Sequence, residues 1–255
     1  MAIGADSISL VMGNSERADH VFATTCWTEV LSARTDGAPA GGEALARLCA
    51  AYWPPLYAFL RRDGCTPEEA EDLVQGFFEQ FIAGDYLRDV ARDKGRFRSF
   101  LLGCLKHYAA NVRRERRTQR RGGSAPHFSL GDPDALERCE AALVAQPPDS
   151  SVFDRVWAET IMHKSVARLR QEYSAAGKEA LFDKLCRWLA SEAKAGDYAR
   201  EAPALGLSEG ALAAAVFRLR QRFRQFVREE VGHTVQSPAD IDGEMQHLLV
   251  TLTRS

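Results

Sequence analysis

No apolar run in this chain approaches the roughly 20 residues needed to span a bilayer, and the N-terminus is neither basic nor continuously apolar. The protein is therefore expected to be soluble and cytoplasmic, without a membrane partner. Cysteine is sparse and scattered. Cys26, Cys49, Cys65, Cys104, Cys139 and Cys186 form no C-x-x-C pair, and no histidine stands at zinc-finger spacing. That pattern argues against a metal cluster or a disulfide framework and predicts buried free thiols. A phosphate-binding glycine loop, a nucleophile elbow and an H-E-x-x-H pair are all missing, and the six histidines are dispersed. No catalytic residue, metal or cofactor is assigned, and no enzyme is expected. A charge surplus is missing too: 33 Lys and Arg stand against 35 Asp and Glu, a net charge of -2 that by itself suggests no polyanionic partner.

What the chain does have is charge sorted by position. Residues Arg113 to Arg121 read RRERRTQRR, six arginines against one glutamate, and a second series places Arg218, Arg220, Arg222, Arg224 and Arg228 along one segment. Acidic residues gather elsewhere, notably Glu68, Glu69, Glu71, Asp72 and Glu79. Segregation of this kind creates local fields that a near-neutral total conceals.

The length of 255 residues and 45% hydrophobic content support one large or two small cores, and two domains are expected. Leu45, Leu48, Cys49, Tyr52, Trp53, Leu56 and Leu60 recur at helical steps, with Pro54 and Pro55 expected to interrupt or kink that helix. Thr66, Pro67 and Glu69 spell a capping box with proline at the first helical position. The helix that follows buries Leu73, Val74, Phe77, Phe78, Phe81 and Ile82, and leaves Asp72, Gln75 and Glu79 as a polar stripe. Gly76 inside it costs about 1 kcal/mol relative to alanine, so either a packing reason or support from neighbours is expected. After a turn at Asp93 to Gly95, a long helix begins near Phe97 and ends in arginine. Residues 122–151 are rich in Gly, Pro, Ser and acid and read as a linker.

Helical spacing resumes at Phe153 and continues to Leu189; nothing alternates with period two, so the fold class is all-α. Asp197 to Leu205 predicts one short helix, Gly206-Leu207 a turn, and Ser208 the cap of a second helix running toward Val231. Together these have the spacing of a helix-turn-helix, with Ala202 at the close crossing and Pro203 as a departure. Pro238 to Leu252 carries a last apolar helical stripe. The expected organisation is an N-terminal segment 1–19, a first domain 20–121, the linker 122–151, a second domain 152–231 and a docking helix within 232–255. Asp240, Asp242 and Glu244 suggest that this tail folds back over a basic surface.

Three segments, in this order, resemble extracytoplasmic-function RNA polymerase sigma factors. TPEEAEDLVQGFFEQF (66–81) looks like the polymerase-binding helix, RFRSFLLGCLKHYAANVRRERR (96–117) is similar to the promoter-melting helix, and YAREAPALGLSEGALAAAVFRLRQRFRQFVREEV (198–231) resembles the C-terminal helix-turn-helix. The likeness covers roughly 22–231. FATTCWTEVLSA near the start and TVQSPADIDGEMQHLL near the end look like extensions of a larger branch of the group.

The resemblance implies core RNA polymerase as partner, through the β′ coiled coil and the β flap, together with promoter DNA; an anti-sigma factor is left open. Polymerase binding falls on Asp72, Gln75 and Glu79. Strand capture falls on Lys94, Arg96, Lys106, His107, Asn111, Arg113, Arg114 and Arg117, with those from Lys106 onward expected to be exposed. Duplex contacts fall on Ser208, Glu209, Arg218, Arg220, Arg222 and Arg224. Phe100 and His107 stand where the family often has tryptophan and asparagine, and Ala213, Ala214 and Ala215 where it usually has lysine, arginine or serine. Other readings stay open. An acidic stripe is also a solvated helix face, an arginine run also suits a helix C-terminus, and Thr66 as a phosphorylation site competes with its role as a cap. A helix-turn-helix regulator, or a sigma-derived adaptor that does not start transcription, is the alternative function.

Overall fold

A computed structural model describes residues 39–83, 97–120, 150–191, 193–235 and 237–253, and every regular element among them is helical. The first helix, α1 (Pro39–Arg62), runs unbroken through Pro54 and Pro55, where the sequence predicts an interruption or a kink. Each proline removes a backbone donor at a cost of about 3 kcal/mol. Against that, Leu48, Tyr52, Leu56, Phe59 and Leu60 are buried along one face, each contributing about 1.5–3 kcal/mol. Packing outweighs the two missing bonds.

The capping box forms as its residues predict. The Glu69 N–H donates to Thr66 Oγ1 (3.2 Å) and the Thr66 N–H donates to Glu69 Oε2 (3.1 Å), opening α2 (Pro67–Ala83). The third helix, α3 (Phe97–Arg120), packs on α2, and the packing explains Gly76. A Cβ there would sit 2.5 Å from the hydroxyl of Tyr108, so only glycine lets the tyrosine lie against the α2 backbone.

The chain divides into two compact units. One holds the described residues from 39 to 157 together with 233–235 and 237–240; the other holds the rest of the described residues. In the first unit, Tyr52 meets Phe97 edge-on (5.6 Å) and Phe153 face to face (6.3 Å), and its hydroxyl donates to the Thr234 carbonyl (3.0 Å). Arg98, only 5% exposed, pairs with Asp154, and its guanidinium lies 5.5 Å from the Trp157 ring centre. The division falls after Trp157, inside α4 (Ser151–Ala175); of the linker expected over 122–151, residues 122–149 lie outside the described residues.

The second unit is built on the remainder of α4, α5 (Glu179–Leu185), the 3-10 helix Cys186–Leu189, α6 (Asp197–Glu201), the 3-10 turn Pro203–Leu205, α7 (Glu209–Gly232) and α8 (Ile241–Thr253). Its core gathers Ile161, Leu169, Phe182, Leu185, Leu212, Leu219, Phe223, Val227 and Leu248. The single helix expected over Asp197 to Leu205 is split, because Pro203 cannot supply the next helical N–H and the chain tightens into the 3-10 turn. The Ala202 carbonyl then accepts from the N–H groups of both Leu205 and Leu207 (3.0 Å each). Gly206 makes the reversal at φ 64°, where other residues are strained.

Candidate functional site

The described residues singled out by sequence stand on α2 and α3 in the first unit and on α7 and its cap in the second. On α2, Phe77 and Phe81 are buried while Asp72, Gln75 and Glu79 are all exposed. The Gln75 side-chain amide donates to Glu79 Oε1 (3.0 Å), the geometry of neighbours one helical turn apart. Glu79 also acts on the neighbouring helix. Burial first, and then this carboxylate, raises the Tyr108 hydroxyl above the usual tyrosine range.

Along α3 the predicted strand-capturing residues fall into three environments. Lys106 is half-buried and holds its ammonium 4.8 Å from the Phe59 ring centre, a cation-π contact. Asn111, which the sequence places among the exposed residues, is only 5% so; its Nδ2 lies 3.0 Å from Nε2 of half-buried His107. It stands one turn beyond buried Tyr108 on α3, which puts it on that helix's packed face. Arg113 spans the turn between α1 and α2, donating to Asp63 Oδ2 (2.7 Å) and to Cys65 Sγ (3.0 Å). The hydrogen bond to Asp63 is the main reason its guanidinium is held above the ordinary arginine range. Arg114 and Arg117 are exposed, as is Arg116, which the sequence pattern did not single out.

Arg113, Arg116 and Arg117 line a cleft of about 270 Å³ with Asp63, Gly64 and Cys65. The i, i+3, i+4 spacing of the three arginines was a readable signal for their shared face. Asp63 offered none, because its partner is 50 positions away. Lys94 and Arg96 lie outside the described residues.

In the second unit, Ser208 caps α7 as predicted, its Oγ accepting the Ala211 N–H (3.2 Å). Glu209 and Arg218 are exposed, and Arg218 has no carboxylate partner among the described residues. The other arginines of the series turn toward the protein. Arg220 donates through Nε to the Trp188 carbonyl (3.0 Å) and through Nη2 to the Ser191 carbonyl (2.9 Å). It thereby satisfies acceptors at the end of a 3-10 helix. Arg222 pairs with Glu172 (2.6 Å) and lies 4.3 Å from the Phe226 ring centre. Arg224 is half-buried; burial, then the nearby charge of Arg220, lowers its guanidinium from the ordinary value. Beyond them Arg228 pairs with Asp242 of α8 (2.5 Å), so the tail packs on the C-terminal half of α7 and leaves Phe217 64% exposed.

Among the described residues no group of His, Cys, Asp or Glu converges as a metal centre requires, and no helix is long and apolar enough to cross a membrane. No protein-family model matches the chain, and neither does any curated protein or solved structure.

Proposed function

We propose that this chain is an alternative sigma factor, a subunit that binds core RNA polymerase and directs it to promoter DNA. In this reading the exposed stripe Asp72, Gln75 and Glu79 makes charge-assisted hydrogen bonds to a basic coiled coil of the polymerase. Arg114, Arg116 and Arg117 hold the phosphates of the melted strand. Residues 197–232 act as a helix-turn-helix that lays α7 in the major groove upstream.

One observation carries the reading: α2 and α3 pack together with carboxylates open on one and guanidiniums open on the other, and the two sets do not neutralise each other. The nearest exception, Arg113, is paired to Asp63 of the α1–α2 turn rather than to the stripe. Unspent charge of both signs on adjoining helices suits a protein with two partners of opposite charge.

The test is reconstitution. Purified protein added to core polymerase should start transcription from a genomic promoter library, and Asp72→Arg with Glu79→Arg should abolish this by preventing assembly with the core. Tight binding to closed duplex without polymerase, and no transcription with it, would instead identify a regulator or adaptor. Turnover of nucleotide or nucleic acid by the protein alone would identify an enzyme.

A further inference from the structure

The outward face of the N-terminal half of α7 combines small side chains with one large exposed ring. Helical residues advance about 100° each, so Gly210, Ala211, Ala214, Phe217, Arg218 and Gln221 share one arc about 120° wide, opposite the buried Leu212, Leu219 and Phe223. All six are exposed. Phe217 is 64% exposed, far more than Trp53 or Val250, the other large apolar side chains at the surface among the described residues. An added Cβ at Gly210 would meet nothing. Between residues 210 and 221 the arc carries no carboxylate, and its one charge there is the guanidinium of Arg218.

We propose that this arc reads the C5-methyl groups of thymine in the major groove, so that the chain selects upstream duplex by apolar contact rather than by a hydrogen-bond code. The proposal rests on the helix-turn-helix reading above. Small side chains at 210, 211 and 214 let the α7 backbone settle deep into a groove that is just wide enough for a helix. Alanine and phenylalanine have nothing to donate or accept, but they pack well on the one apolar group the groove displays. Arg218, one residue from Phe217, is placed for an adjacent phosphate.

A protein partner fits less well. Stable protein interfaces bury about 800 Å² on each side around a cluster of large anchors, and this arc offers a single large side chain. A lone ring among alanines, with a cation at its edge, matches the scale of a base step.

The experiment is a selection of random duplexes by the full-length chain, run with and without core polymerase, using libraries made with thymine or with deoxyuridine. Uracil keeps every hydrogen-bonding group of thymine and lacks only the methyl. Enriched sequences from the thymine library should contain one or two positions where deoxyuridine weakens binding about fourfold each, the effect of one buried methyl. 5-Methylcytosine at such a position should bind better than cytosine. Phe217→Ala, at so exposed a site, should leave the melting temperature unchanged and remove the deoxyuridine penalty.

Equal binding to thymine and deoxyuridine DNA, with polymerase-dependent initiation intact, overturns the methyl reading and leaves the sigma assignment standing. Equal weakening of both DNAs by Phe217→Ala has the same consequence. Thymine-dependent selection without any transcription keeps the methyl reading and sinks the sigma assignment. No enrichment in either arm sinks the methyl reading.

Discussion

The two arginine-rich helices look alike as strings and behave differently as surfaces. In the run that closes α3, Arg114, Arg116 and Arg117 stand exposed and, among the described side chains, Arg113 alone is drawn into the α1–α2 turn. On α7, Arg220, Arg222, Arg224 and Arg228 are directed to carbonyls, to Glu172, into partial burial and to Asp242, which leaves Arg218 open. Spacing accounts for the difference. Arginine at every second position turns about 200° per step, so the α7 series sweeps around the helix and reaches its packed flanks. The clustered 113, 114, 116 and 117 keep more of their charge to one side. Arginine density in a sequence therefore does not measure the field available to a polyanion.

The largest expected effect tests that contrast directly. Replacing Arg114, Arg116 and Arg117 with alanine should lower the slope of log affinity against log salt for promoter capture by about 2, since each phosphate contact with a single strand contributes about 0.7. Replacing Arg220, Arg222 and Arg228 should leave the slope nearly unchanged. A comparable drop in both would erase the distinction.

Stability should show the reverse order. Arg168 binds Glu229 and the buried Glu230 (2.6 and 2.8 Å), so Arg168→Ala removes a charge-assisted hydrogen bond from each carboxylate and should cost about 1–3 kcal/mol in denaturant titration. Gly76→Ala would overpack α2 on α3 by about the same amount, in spite of alanine's better helix propensity. Adding Tyr108→Phe removes the clashing hydroxyl and should restore most of the loss. If it does not, the clash is not the cause. Arg220→Ala should cost about 1 kcal/mol.

The smallest effect is a paired titration. Tyr108 and Tyr173 are both raised above the ordinary range, in each case chiefly by burial, while Arg116 and Arg218 respectively pull them back down. Each folded tyrosine therefore keeps its proton where an unfolded one has begun to lose it. The associated stability is fully present below the unfolded pKa and disappears as pH rises through the folded one. Arg116→Ala should move the Tyr108 transition higher in an ultraviolet titration, and Arg218→Ala should do the same for Tyr173. A downward shift in either would contradict the charge assignment.

Local signals were the legible ones. Thr66 with Glu69, the start of α3 at Phe97, Ser208 and the tail helix each depend on residues within a turn or two, and Gly76 announced a close approach without naming its partner. Contacts distant in sequence were not legible. Asp63 with Arg113 and Arg98 with Asp154 are separated by 50 and 56 positions, and periodicity cannot pair them. Asn111 misleads because an amide suits either side of a helix, and only the neighbours decide. Pro54 and Pro55 do not end α1, because the burial along its face offsets their poor propensity.

The hydroxyl of Tyr108 seated over Gly76 works as a peg in a notch. Sliding α3 along α2 would carry the peg off Gly76 toward the side chains one turn away on the same face, Leu73 on one side and Gln80 on the other. The pair is thus keyed axially, and the carboxylates of α2 and the guanidiniums of α3 keep a constant spacing. A pull on the acidic stripe is passed to the arginine run as a displacement of the whole helix pair rather than absorbed as slippage.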